Sequence, residues 1–143
     1  MRTLAAIAVF LSVTLFAATS ARAQSNVIDL GAASNLPASG DGWSYSLYKY
    51  TIDDGANVII TGSSKVKWIS IAGNATITLR DVDLVSETQN DGVFSISSTA
   101  NPTVRLILEG SNFVEGVLRA GICVKDGQTV IIDGPGSLNV KGY

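Results

Sequence analysis

The chain has no histidine and a single cysteine, Cys123, and these two absences remove much familiar chemistry. Without histidine there is no histidine-based triad, no zinc–histidine cluster and no imidazole general base. One cysteine excludes an intrachain disulfide. Neither a P-loop nor a glycine-rich dinucleotide fingerprint is present. No EF-hand or RTX-type spacing of calcium ligands occurs. Dense lysine or arginine runs are missing too, which disfavours nucleic acid and anionic membrane as partners. After the first residues no segment sustains a 3.6-residue period, so almost no helix is expected. Oxygen ligation is what remains for a metal, and Asp, Glu, Lys, Arg and Tyr remain for acid–base work.

The first residues read as an address. Arg2 supplies a positive start, residues 4–16 are apolar apart from Ser12 and Thr14, and Ala21-Arg22-Ala23 matches an A-x-A cleavage signal. The apolar run is short for a membrane span and no second candidate follows. A secreted, periplasmic or cell-surface protein is expected, with no membrane span after cleavage. Losing Arg2 and Arg22 takes the ten basic residues to eight, against twelve acidic ones, for a net charge of −4. About 120 residues remain, enough for one domain with a modest core.

What the chain does contain is a repeat. Four stretches share one frame: Asn57-Val58-Ile59-Ile60-Thr61-Gly62, Thr76-Ile77-Thr78-Leu79-Arg80-Asp81, Arg105-Leu106-Ile107-Leu108-Glu109-Gly110 and Thr129-Val130-Ile131-Ile132-Asp133-Gly134. Aligned on their last residues they recur at steps of 19, 29 and 24. Val58, Ile77, Leu106 and Val130 form one aliphatic column, and Ile60, Leu79, Leu108 and Ile132 another. The alternation is that of strands with one face buried. A second set, Ile69-Ser70-Ile71, Phe94-Ser95-Ile96 and Ile122-Cys123-Val124, repeats at steps of 25 and 28. A third element after each anchor is expected to carry Leu84, Phe113 and Leu138 inward. Turn signals separate the strands: Asp54-Gly55, Gly73-Asn74, Asn90-Asp91-Gly92, Asn101-Pro102, Asp126-Gly127 and Gly134-Pro135-Gly136.

Short strands recurring every 25 residues or so predict an all-β fold, a short right-handed parallel β-helix of about four coils. Like positions then recur because like strands pair in parallel, whereas a sandwich has no such requirement. The expected organisation is a leader over 1–23, an N-terminal segment and aromatic hairpin or cap over 24–55, and coils over 56–143. The stretch Asp126-Gly127-Gln128-Thr129-Val130-Ile131-Ile132-Asp133-Gly134-Pro135-Gly136-Ser137-Leu138-Asn139-Val140 resembles coils of secreted bacterial carbohydrate-binding-domain-containing proteins. Gly121-Ile122-Cys123-Val124 and Gly42-Trp43-Ser44-Tyr45 are similar to that group as well. The resemblance covers about residues 40 to 143. It implies the pectate-lyase-like parallel β-helix class, in which some members bind acidic polysaccharide and calcium.

Five features are candidates for function, each with a plainer alternative. Trp43, Tyr45, Tyr48 and Tyr50 are flat amphipathic rings suited to sugars, or a hairpin covering the open first coil. Thr61, Arg80, Glu109 and Asp133 share an outward column in which Arg80 and Glu109 can pair, while Glu109 beside Asp133 repels unless a cation intervenes. With Asp81 and Asp83 in the neighbouring turn, Glu109 and Asp133 make a diffuse candidate calcium set, or simply solvated turn carboxylates. Ile59, Thr78, Ile107 and Ile131 form an outward apolar stripe, a partner face or one covered by the segment 27–36. Cys123 is expected to be less buried than Ile122 and Val124. Arg105, between Thr76 and Thr129 with no acidic neighbour in its column, is a candidate sugar contact. Arg80, Arg105 and Arg119 are the arginines a lyase would draw on. The sequon Asn74-Ala75-Thr76 matters only in a glycosylating host.

The leading expectation is a secreted non-catalytic module binding a polysaccharide or cell-wall glycan, with Trp43, Tyr45, Tyr48 and Arg105 as contacts and calcium as an assisting ion. The alternative is a structural or adhesive module that self-associates through its terminal coil. A polysaccharide lyase fragment stands third, because four coils leave little room for a catalytic cleft.

Overall fold

The computed structural model describes residues 25–32, 38–87 and 92–143. The leader expected over 1–23 and the Asn90-Asp91 turn lie outside them. In the described residues the protein is all-β with predominantly parallel pairing. Three short strands come first: β1 (Val27–Asp29), β2 (Ala38–Gly40) and β3 (Trp43–Ser46). Then follow β4 (Lys49–Ile52), β5 (Ala56–Ser64), β6 (Trp68–Ile71), β7 (Ala75–Ser86) and β8 (Gly92–Ile96). The last five are β9 (Thr103–Glu109), β10 (Ser111–Gly116), β11 (Ala120–Cys123), β12 (Thr129–Asp133) and β13 (Ser137–Gly142).

Two sheets result. The larger runs β1-β5-β7-β10-β13, with β9 joining β7 to β12, and all its pairs are parallel. The smaller runs β11-β8-β6-β4-β3-β2, and only its β4-β3-β2 portion is antiparallel. Parallel pairs need long connections, and each repeat supplies one by passing through the other sheet before returning.

The anchor columns pair as expected through three repeats. Val58 registers with Ile77 and Ile77 with Leu106, while Ile60 registers with Leu79 and Leu79 with Leu108. These six are the centre of the core, from fully buried at Val58 to 6 % exposed at Leu108. Burying each aliphatic side chain contributes roughly 1.5–3 kcal/mol. On the facing sheet Tyr50, Ile52, Ile69, Ile71, Phe94 and Ile96 are buried in the same way. The Ser70, Ser95 and Cys123 column forms as expected and continues through Thr51 to Ser44.

Two corners hold the repeats in line. At one, the chain turns through Gly62, Asp81 and Gly110, all with left-handed backbone at φ of 83°, 50° and 67°. At the other, side chains reach from rung to rung: Asp54 Oδ1 accepts the Asn74 N–H at 2.7 Å, and Asn74 Oδ1 accepts the Thr103 N–H at 3.0 Å. The sequon asparagine Asn74 is thus tied into this ladder.

Five details differ from the sequence reading. The fourth anchor is displaced by two residues: Ile132 registers with Leu106 and Val130 with Val104. An even displacement preserves which face is inward, so the periodicity alone does not reveal it. Gly136, not Gly134, takes the place of Gly110, since Ser137 registers with Ser111. Val130 is only half-buried and Ile132 is 55 % exposed, because among the described residues β12 pairs with β9 alone. The third inward position belongs to Val114, opposite Leu84 and Val140, and not to Phe113. Phe113 turns outward under the Lys141 ammonium at 5.2 Å. Finally, the described part of the segment 27–36, residues 27–32, does not lie over the apolar stripe, and the rest of it falls outside the described residues. β1 pairs beside β5 as a further rung, with Ile28 fully buried opposite Ile60.

Candidate functional site

The aromatic cluster is built by the β3–β4 hairpin. Its two-residue turn places Leu47 and Tyr48 at φ of 50° and 66°, the left-handed pair a tight primed turn requires. Alternation on either side of that turn points Trp43, Tyr45, Tyr50 and Ile52 toward the core. Tyr45 is 3 % exposed and Tyr50 4 %, with ring centroids 4.6 Å apart, and Trp43 meets Tyr50 edge-on at 5.8 Å. The Trp43 indole N–H donates to the Ser25 carbonyl at 2.9 Å. Tyr45 therefore closes one end of the core and presents no open ring face for a sugar, while Trp43, only half-buried, packs against that core. Tyr48 alone is exposed, at the hairpin tip.

Behind these rings sits Lys67, which sequence reasoning passes over. It is buried, donates to the Leu30 carbonyl at 2.8 Å and the Ala32 carbonyl at 3.1 Å, and lies 5.4 Å and 5.6 Å from the Tyr45 and Tyr50 ring centroids. Burial pulls the ammonium's pKa below its usual value, with Asp29 opposing. Burial, with Tyr45 and Asp29 adding, pushes the Tyr50 phenol up to about 12. The Tyr45 hydroxyl is buried and has no hydrogen-bond partner among the described residues. The cluster clips the first rung to the stack.

The outward face of the larger sheet carries three columns. One runs Asp29, Thr61, Arg80, Glu109; the next runs Val27, Ile59, Thr78, Ile107, Asp133; the third runs Asn57, Thr76, Arg105, Ile131. The displacement of β12 rewrites two expectations. Asp133 does not stand beside Glu109, and Ile131 leaves the apolar stripe for the column of Arg105. Arg80 pairs with Glu109 at 2.6 Å, as expected, and Glu109 raises the guanidinium's pKa. Arg105, expected to lack an acidic neighbour, is ion-paired with Asp133. The Gly134 N–H, and then Arg105, hold the Asp133 carboxyl below the usual range. Alternating charges in two separate pairs replace the expected like-charge contact.

The four proposed calcium ligands do not assemble. Glu109 and Asp133 are occupied by arginines, and Asp81 Oδ1 accepts the Ser111 N–H at 3.1 Å. Asp83 stands exposed in the register of Phe113. Among the described residues no three His, Cys, Asp or Glu side chains converge. Calcium needs six to eight oxygens, and this donor set does not fit it.

Among the described residues the surface includes three shallow grooves. One, of roughly 300 Å³, follows the third column, where Asn57, Asn74, Thr76, Thr103 and Arg105 gather beside Ile131. A second is lined by the loops before β9 and β12, including Asn101, Lys125, Asp126 and Gln128. The third surrounds Trp68, an outward residue of β6 that no repeat column flagged. Cys123 is half-buried like Ile122, whereas Val124 is 46 % exposed, so the expected ranking of the three fails. Among the described residues no helix is long and apolar enough to cross a membrane. Comparisons with protein-family models, with curated proteins and with solved structures gave no match.

Proposed function

We propose that the chain is a secreted, non-catalytic module that binds polysaccharide on the side of a short right-handed parallel β-helix. Parallel strands that recur through two sheets support the β-helix, and the right hand is the one parallel crossovers adopt. The leader over residues 1–23 supports export. The observation that carries the binding reading is the groove of the third column. There, two amides, two hydroxyls and a guanidinium line the groove beside Ile131 and two alanines. Mixed donors and acceptors in a shallow, open groove suit a hydroxylated polymer lying across the rungs better than a small molecule that must be enclosed. Calcium plays no part in this arrangement.

Affinity electrophoresis through a panel of neutral and acidic polysaccharides, with calcium and with chelator, tests it. Retardation in at least one gel, insensitive to chelator and weakened several-fold by Arg105→Ala, is expected. Unretarded migration in every gel rejects the reading.

A second reading, self-association, rests on a different observation. Among the described residues β11, β12 and β13 each pair on one side only, and Ile132 and Val140 are 55 % and 42 % exposed. Unpaired edges with apolar residues invite strand addition. Sedimentation velocity over a concentration series tests this, with Ile132→Lys abolishing any concentration dependence. A lyase is the least supported reading, since Arg105 is held by Asp133 and leaves no free guanidinium there to act as base.

A further inference from the structure

We infer that Trp68 is the platform of a second sugar subsite, on the smaller sheet, and that it takes a neutral pyranose unit. The inference rests on the carbohydrate-binding reading but uses none of the residues that support it. On β6, Ile69 and Ile71 point inward and are buried, so alternation turns Trp68 and Ser70 outward. The Trp68 backbone is fixed by donation of its N–H to the Tyr48 carbonyl at 3.1 Å and by its register with Lys49. Its side chain is half-exposed in a groove lined by Lys65, Val66 and Glu87, where Val66 is 56 % exposed. The protein's other tryptophan, Trp43, is half-buried too, but it packs against the core and donates its indole N–H to the Ser25 carbonyl, whereas Trp68 lies on the outward phase of β6.

The polar groups around it decide the ligand. Lys65 and Glu87 are exposed and belong to neither ion pair found among the described residues. An ammonium only donates hydrogen bonds and a carboxylate only accepts them, whereas every sugar hydroxyl does both. A pyranose stacked on the indole through its apolar face therefore satisfies both charges at once, and Val66 extends the apolar contact. Among the described residues the lining carries one charge of each sign, which complements a neutral ring. What an acidic sugar gains at Lys65 it loses at Glu87, and an amino sugar the reverse, so a charged ring has no net advantage over a neutral one. Lys49 lies beside Trp68 in register but not in the groove lining.

The test is isothermal titration of the full chain with cellohexaose, mannohexaose and hexagalacturonate. Wild-type, Lys65→Met, Glu87→Gln, Trp68→Phe and Trp68→Ala proteins are compared, each shown folded by circular dichroism. Lys65 and Glu87 are exposed, so their variants keep the fold even where Trp68→Ala does not. Binding of a neutral hexasaccharide is expected, weakened roughly tenfold by each of Lys65→Met and Glu87→Gln. Trp68→Phe should retain part of this subsite's contribution and Trp68→Ala none of it. The inference is overturned if neutral binding is unchanged in Lys65→Met and Glu87→Gln, if only hexagalacturonate binds, or if none of the three binds. Retention in polysaccharide gels that survives Trp68→Ala but is lost with Arg105→Ala overturns this subsite while leaving the parent reading standing. No retention of wild-type protein in any gel sinks both.

Discussion

Asn112 offers the sharpest test of how the rungs are joined. It is a polar residue at an inward position, 3 % exposed, and it binds three strands at once. Its Oδ1 accepts the Val82 N–H at 3.0 Å, and its Nδ2 donates to the Glu109 and Ser137 carbonyls, both at 3.1 Å. Asn112→Ala leaves a buried N–H and two carbonyls short of a partner and opens a small void. Each orphaned buried group costs about 1–3 kcal/mol, and the carbonyls recover part of theirs, so a loss of about 3 kcal/mol is expected. For a domain of this size that lowers the melting temperature by about 10 °C. Asn112→Leu restores the volume without the hydrogen bonds and should recover at most about a third of the loss. Urea unfolding followed by circular dichroism measures both. A cost under about 1 kcal/mol for the alanine variant, or wild-type stability for the leucine variant, refutes the assignment of Asn112 as a bridge.

Two further predictions concern the corner and the cap. Gly110→Ala should destabilise clearly more than Gly55→Ala. Both positions have left-handed backbone, but a Cβ at Gly110 falls 2.0 Å from Asp81 Oδ1 while one at Gly55 meets nothing within 4 Å. Equal costs in urea melts count against the Asp81 corner. Above pH 10, stability should fall through Tyr50, whose folded pKa of about 12 exceeds the usual 10. The fold favours the neutral phenol, so this contribution is complete below pH 10 and lost as pH rises to 12, amounting to about 2 kcal/mol at most. Lys67 acts in the opposite sense, because its lowered pKa relieves a burial penalty as it deprotonates. Tyr50→Phe should therefore flatten or reverse the alkaline slope of chemical melts, and an unchanged slope contradicts the buried Tyr50 environment.

How much of this was legible in the sequence depends on what each residue answers to. The columns of Val58, Ile77 and Leu106 and of Ile60, Leu79 and Leu108 were readable because burial enforces aliphatic identity in every rung. The fourth rung misled by two residues because parity alone could not choose between Val130 opposite Leu106 and Val130 opposite Val104. That single ambiguity carried into the outward face, where it created a false Glu109–Asp133 contact and hid the Arg105–Asp133 pair. Trp43 and Tyr45 were visible as a cluster, but composition does not say which way a hairpin faces. Asn112 and Lys67 were invisible because each breaks the inward-apolar rule and is rescued by partners distant in sequence. Trp68 went unremarked because outward positions are not forced to repeat.

The central claim, that like positions of successive repeats sit one above another in parallel, can be tested with one substitution. Cys123 registers with Ser95 on the neighbouring parallel strand, and both face outward. Adjacent strands lie about 4.8 Å apart, within the Cα separation a disulfide spans. Under mild oxidation Ser95→Cys should lose both free thiols within a single chain and melt at higher temperature, with the gain removed by reductant. Two persistent thiols, or bridges formed only between chains, contradict the stack.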